Sequence, residues 1–422
     1  MWADFPDDWE QLHFSDVLCE QVRREKPVSE KQYPLLGVKW YGQGPFHRET
    51  RLGASLSAPY LFEVSYGDII YNKLFAWKGS FGVIVRDYAG YFVSNEFPLF
   101  SLDRSRVVPE FFAWALRSPR LAERANVFST GTTSISRNRL DENDFLSFPL
   151  ALPSYPEQLA IAEVLQSVED AIARKRVLIA QLERTANAVF QDALYPGGVP
   201  RFPLAKFGDA IESIKYGTSV KADKHSEGYA VLGIPNIIGR RVKADALNRA
   251  ELGEKEAKRY SLNSGDLLAV RTNGNPEYVG RMALIRDPMP STIFASYLIR
   301  IRLKKSVTLP EYIEACAPRW PLRTSLTKSA TTSAGNFNIN TDGISQAKII
   351  LPPIDVQQEV VKIERAFQDR IEAENRTLSE LQNTRAALAQ ELLSGRLRLP
   401  ASMVARFENA PPSGKTSKAV TA

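Results

Sequence analysis

Two stretches of this chain carry an apolar stripe that repeats every 3.5 residues. In the first, Ile161, Leu165, Val168, Ile172, Lys175, Ile179, Leu182, Ala186 and Val189 advance by alternating steps of four and three. That spacing keeps them on one helix face and marks a coiled-coil seam. In the second, Phe367, Ile371, Glu374, Leu378, Leu381, Arg385, Leu388 and Leu392 follow the same rule. Lys175 and Arg385 oppose Glu374 in sign, so polar seam residues are expected to set the register if the two helices pack together. No proline or glycine occurs from Gln158 to Tyr195 or from Val356 to Ser394. Each stretch therefore predicts one helix, and about 37 residues at about 1.5 Å each make a rod of roughly 55 Å.

The entries to the two helices are also alike. One reads Leu152-Pro153-Ser154-Tyr155-Pro156-Glu157-Gln158, the other Leu351-Pro352-Pro353-Ile354-Asp355-Val356-Gln357, and Pro153 and Gln158 recur as Pro352 and Gln357 at one constant offset. Ser154 with Glu157 has the form of a capping box, Asp355 with Gln358 is a looser version, and Gly395 suits a left-handed helix end. Upstream, Gly67-Asp68 matches Gly265-Asp266, Leu36-Gly37 matches Leu232-Gly233, and Pro109-Glu110-Phe111 matches Pro310-Glu311-Tyr312 at nearly the same spacing. The chain thus reads as a repeat. Its expected parts are a first domain at 1–152, a central helix at 153–196, a second domain at 197–351, a distal helix at 352–397 and a disordered tail at 398–422. In the first domain, strand patterns run over 60–71, 81–85 and 92–100, followed by helical spacing over 109–125. The predicted class is α+β: two homologous mixed α/β domains separated by two long antiparallel helices that form a coiled coil.

Composition narrows the setting. No apolar run among the 422 residues nears the roughly 18 needed to span a bilayer, and the acidic start at Asp4 to Asp8 is unlike a signal peptide. Cys19 and Cys316 stand alone in different repeats, so neither a disulfide framework nor a zinc site is indicated, and a cytoplasmic location is expected. The net charge of +6 and pI near 9.1 lean toward an acidic polymer. The basic residues cluster, as in Arg240, Arg241 and Lys243 and again in Arg300, Arg302, Lys304 and Lys305, while Lys39, Arg48, Arg51, Lys73 and Lys78 are interleaved with Trp40, Tyr41, Phe46 and Trp77. Cations neutralise phosphates, and neighbouring polar and aromatic groups reach bases and sugars. A hydroxyl-rich and amide-rich loop at 129–138 recurs at 328–338.

Together, the paired Leu-Pro hinges, the long helices, the two domains and the ending Leu392-Leu393-Ser394-Gly395-Arg396-Leu397 resemble the DNA specificity subunit of type I restriction-modification systems. The resemblance covers residues 1 to 400; the second hinge departs from the first, with Asp355-Val356-Gln357-Gln358-Glu359 in place of Pro-Glu-Gln. It implies two target-recognition domains held apart by an antiparallel helix pair, each reading half of a bipartite sequence in double-stranded DNA. It also implies docking of two modification subunits, which bring S-adenosylmethionine and methylate adenine, and of restriction subunits. No cofactor is expected in this chain itself.

An enzyme is not expected. Asn275-Pro276-Glu277-Tyr278 looks like the Asn-Pro-Pro-Tyr signature of amino-methyltransferases, but no glycine-rich cofactor loop follows an early strand. His13, His47 and His225 sit in unrelated contexts and assemble no catalytic constellation. The residues expected on DNA are Lys39, Tyr41, Arg48, Lys73, Lys78, Thr132, Thr133 and Arg137 in the first domain. In the second they are Asn236, Arg240, Arg271, Asn273, Asn275, Tyr278, Arg281, Thr332 and Asn336. Arginine and lysine suit phosphate or guanine, and asparagine suits adenine. Two other readings remain open: a coiled-coil assembly protein whose basic domains bind acidic partners, and an autonomous methyltransferase.

Overall fold

The computed structural model describes residues 5–129, 139–238, 240–245, 247–333 and 335–412. The chain divides into two compact units, one drawn from residues 1–176 and 377–422, the other from 177–376. The seam patterns become two helices of 40 residues each, Tyr155–Leu194 and Ile354–Leu393. Each helix gives one half to each unit. In the first unit, Ile161 and Leu165 share a core with Leu392, and Arg385 is bonded to Glu169 at 2.7 Å. In the second, Phe190 and Leu194 share a core with Val360. Positions rise along one helix as they fall along the other, so the halves are antiparallel within each unit. The seam positions are buried or half-buried, including Ile172, Ile179, Ala186 and Ile371.

The two domains repeat one frame. Glu10–His13 pairs with Pro149–Leu152, as Leu204–Lys206 pairs with Lys348–Ile350. A four-stranded antiparallel sheet follows, ordered Leu18–Gln21, Leu99–Leu102, Ile69–Tyr71, Phe81–Val83 in the first unit. Its counterpart runs Ile211–Tyr216, Leu298–Leu303, Leu267–Val270, Met282–Leu284. The outer layers differ. The first unit adds a five-stranded sheet that includes Gln32–Val38 and Pro45–Leu52, whereas the second adds a three-stranded sheet of Asn248–Ala250, Tyr229–Leu232 and Thr292–Phe294.

The Gly-Asp matches survive because they close one turn by one chemistry. Gly67 and Gly265 are left-handed and donate to the carbonyls of Ile84 and Ile285. Asp68 and Asp266 accept the backbone N–H of Ser65 and Asn263 and bind Arg23 and Arg302. A second amino acid at the glycine would be strained by its positive φ.

The hinge glutamines explain their own recurrence. Buried Gln158 accepts the Val108 N–H at 2.8 Å and donates to the carbonyls of Arg106 and Pro153, each at 3.0 Å. Buried Gln357 accepts the Leu309 N–H and the Thr308 hydroxyl, each at 2.9 Å, and donates to Val307 and Pro352. Each amide thus stitches a long helix to the loop that begins the Pro109–Ala115 or Pro310–Cys316 helix. Removing the amide leaves buried backbone groups without partners, which costs about 1–3 kcal/mol each. Gln357→Ala and Gln158→Ala are each expected to lose about 2–3 kcal/mol in urea titrations; a loss below about 0.5 kcal/mol would remove the hinge from the account.

Several local expectations are corrected. The Ser154 hydroxyl does cap the Glu157 N–H, at 3.4 Å, but the Glu157 carboxylate turns to Arg398 instead of closing the box. The second long helix starts at Ile354, which places Asp355 inside its first turn. A polar seam residue does bridge the two helices, but the carboxylate that Arg385 meets is Glu169; Glu374 also pairs with Arg370 one turn earlier on its own helix. The 109–125 helix is two, Pro109–Ala115 and Pro119–Phe128, because Pro119 starts a new first turn. Residues 398–412 are not a structureless tail. Arg398 binds Asp8 and Glu157, Arg406 binds Glu163, and Ala401–Val404 is helical. Gly395 closes the second helix in the left-handed conformation, as its sequence position predicts.

Candidate nucleic-acid interface

In both units the central strand of the four-stranded sheet delivers a cation at its end opposite the Gly-Asp turn. Ile69–Tyr71 runs to Lys73 and Leu267–Val270 to Arg271. The Leu140 N–H donates to the Lys73 carbonyl and the Ile339 N–H to the Arg271 carbonyl. The chain leaving each polar loop therefore docks at the same place in each frame. Candidate residues gather around that end.

In the first unit, the turn at 39–44 lies against the 3-10 turn Ala76–Lys78. The Tyr41 N–H donates to the Lys78 carbonyl at 2.8 Å, and the Gly42 N–H to the Gly79 carbonyl at 2.7 Å. The Lys78 ammonium sits 3.7 Å from the Trp40 ring centroid and 4.8 Å from that of Trp77. Lys39 lies over Phe46 at 5.6 Å. Ring faces hold such cations by about 0.5–1 kcal/mol at exposed sites while leaving the charge uncancelled. Lys73 is instead half-buried and paired with Glu142, and Arg48 lies 3.7 Å from Glu49 on the exposed strand Pro45–Leu52. Thr132, Thr133 and Arg137 lie outside the described residues.

The second unit has an open groove of about 1110 Å³ that brings together Asn236, Asn273 and Asn336 with Lys221, Lys243 and Tyr297. These asparagines are not equally free. Asn236 accepts from the Gly233 N–H and donates to the Lys243 carbonyl, so it shapes its loop. Asn273 accepts the Asn275 N–H through its side-chain oxygen. Asn336 is exposed at the start of Asn336–Asn338, and its amide makes no hydrogen bond within the described residues. Thr332 is exposed on the paired strand. Arg271 stacks over Tyr216 at 4.7 Å.

Beside the groove, Asn275 to Tyr278 form a turn whose Asn275 side-chain oxygen accepts the Glu277 N–H at 3.0 Å. Arg323 holds that turn from the Leu322–Ser329 helix, donating to the carbonyls of Pro276, Glu277 and Val279. Burial pushes the Arg323 guanidinium below its ordinary value, against the pull of Glu277. Arg281 lies 3.8 Å over the half-exposed Tyr278 ring.

Much of the basic clustering proves internal. Arg240 binds Glu364 and lies 3.7 Å from Glu314; Arg241 binds Glu372, and Arg286 binds Glu314. Arg300 is buried and donates to the Ser261 carbonyl, while Arg302 pairs with Asp266. Arg240 is thereby directed to the second long helix and does not join the groove. Tyr297, at 57% exposure, carries no signal in the sequence, since it ends an otherwise ordinary turn before the strand Leu298–Leu303. Burial pushes the Cys316 thiol up to about 12, so it stays protonated at neutral pH. Among the described residues no group of three His, Cys, Asp or Glu side chains is placed to hold a metal ion.

Comparison with known proteins gives this geometry a setting. Residues 205–383 match the model of the type I restriction modification DNA specificity domain. The chain is 27% identical over 291 residues to the EcoKI specificity subunit of Escherichia coli K12, covering 64% of this chain and 62% of that subunit. It is 25% identical over 333 residues to the StySPI specificity subunit of Salmonella potsdam, covering 74% and 70%. In fold it is similar to a chain from a study of type I R-M complex assembly and conformational transition, with TM-score 0.58, 18% identity, and 93% and 100% coverage. The S subunit from M. genitalium gives TM-score 0.53 at 12% identity, with 92% and 96% coverage. By its repeated frame and these comparisons, the chain is similar to type I restriction-modification specificity subunits, in sequence over the second repeat and in fold over most of its length.

Proposed function

We propose that this chain is the non-catalytic, sequence-reading subunit of a type I restriction-modification complex, and that its two domains each read one half of a bipartite duplex target. The observation that carries the reading is the recurrence of an aromatic-backed cationic surface at the same end of the same four-stranded sheet in both units: Lys78 on Trp40 in the first, Arg271 on Tyr216 in the second. Cations held on ring faces neutralise phosphates and fix orientation, and in this reading the Asn336 amide and the Asn273 side-chain N–H groups meet base edges in the second half-site.

The long helices are the docking elements for two modification subunits, which supply S-adenosylmethionine and the methyl transfer; restriction subunits join that assembly. Val177 and Ile363 support this role, since both are exposed apolar residues on helix faces outside the seam. No helix among the described residues is long and apolar enough to cross a membrane, and the complex acts on DNA in the cytoplasm.

Titration of the assembled complex on its target at several salt concentrations tests the reading. Binding should weaken steeply with salt, and Lys78→Ala should reduce the slope of log K against log salt by about 1 with sequence preference unchanged. Asn336→Ala should lower discrimination at one base pair of one half-site by about 5- to 100-fold, the range of a lost bidentate contact. Binding indifferent to sequence would favour a basic scaffold for acidic partners, and methyl transfer by the chain without modification subunits would establish an autonomous enzyme.

A further inference from the structure

Tyr41 is held in a way that its fold does not need. It is 72% exposed, and it and Ser291 are the two non-glycine residues with positive φ among the described residues, Tyr41 at 56°. An L-residue in that region carries strain that the surroundings must overcome, and such strain concentrates where a side chain has to be presented. Glycine would relieve it, and glycine already occupies the next position in the chain, with a φ of 64° at Gly42. The backbone around Tyr41 is fixed by the bonds to Lys78 and Gly79 and by the Ser80 hydroxyl, which donates to the Val38 carbonyl at 2.8 Å. Its ring stands edge-on to Trp40 at 6.4 Å, and Trp40 is itself 40% exposed beneath the Lys78 ammonium. A rigid turn thus presents a bare aromatic ring beside cations that no described carboxylate pairs.

We infer that Tyr41 is a wedge that enters a base step of the first half-site and unstacks it, so that this half-site is read partly through the ease of deforming that step. The inference rests on the DNA-reading function proposed above. An exposed ring flanked by phosphate-seeking cations fits a duplex, in which apolar or aromatic wedges open base steps and kink the helix. It adds a selection that hydrogen bonding to base edges does not supply, because flexible pyrimidine–purine steps yield most readily.

The test uses the assembled complex with duplexes carrying 2-aminopurine at successive positions of the first half-site, other than the methylated adenine. The wild-type complex should raise fluorescence at one step. Tyr41→Gly should abolish that rise and weaken binding by about 5- to 100-fold, the range of one lost base–aromatic stack, without lowering the melting temperature. Tyr41→Trp should restore the signal. If Tyr41→Gly binds the target normally, or no position responds although binding is sequence-specific, the wedge is wrong and the DNA-reading function stands. If the complex shows no sequence-specific binding, both fail.

Discussion

Glu364→Leu is expected to destabilise the second unit by about 3–5 kcal/mol, the usual consequence of removing one partner from a buried ion pair. Glu364 is buried on the second long helix and accepts from Arg319 at 3.0 and 3.2 Å, from Arg240, and from Gln368 at 3.1 Å. Arg319 is also buried. It is fastened to Asn187 at 2.8 Å and to the Ala315 carbonyl at 2.6 Å, and it lies over the Phe190 ring at 4.3 Å. Burial pushes its guanidinium below the ordinary value, which Glu364 opposes. Without that carboxylate the charge stays in place and uncompensated. The first unit shows what else the position tolerates: seven residues beyond the hinge glutamine, where the second helix has Glu364 after Gln357, the first has Leu165 after Gln158, fully buried in an apolar core. Replacing Glu364, Arg319 and Arg240 together by Leu, Met and Met should therefore recover most of the loss. Hydrogen exchange across 177–376 reads the effect on this unit directly, and a loss under about 1 kcal/mol for the single variant would show that the network contributes little.

What the sequence discloses and what it conceals divide along physical lines. The long helices were legible because their seam is a one-dimensional pattern, and their burial follows it residue by residue. The repeat was legible where chemistry is local and strict, as in Gly67-Asp68 with Gly265-Asp266 and in the two hinge glutamines. Which carboxylate a seam cation meets is less legible: Arg385 finds Glu169 on the other long helix, a partner set by three-dimensional packing. The candidate site was less legible for the same reason. Clustered arginines look alike in sequence, yet Arg300 and Arg302 hold a turn and Arg240 holds a helix, whereas Lys78 and Arg271 rest on rings and keep their charge available. Only the partners distinguish them. The basic and aromatic neighbours of Tyr41 are visible in the sequence, but its conformation, the more telling property, has no signature there.

The proposed division of labour between domains carries the largest functional consequence. Each unit has its own core and its own candidate surface, so exchanging one domain should change one half of the target. The exchange has a physical condition: an incoming first domain must offer the N–H and carbonyl that Gln158 binds and an apolar set to pack on Ile161, Leu165 and Leu392. The decisive measurement replaces residues 1–152 with the corresponding domain of another specificity subunit, restores the modification subunits, and maps methylated adenines across a genome lacking other adenine methyltransferases. One half-site should be replaced while the other half-site and the spacer remain. A map in which both half-sites change, or neither does, would contradict that division of labour.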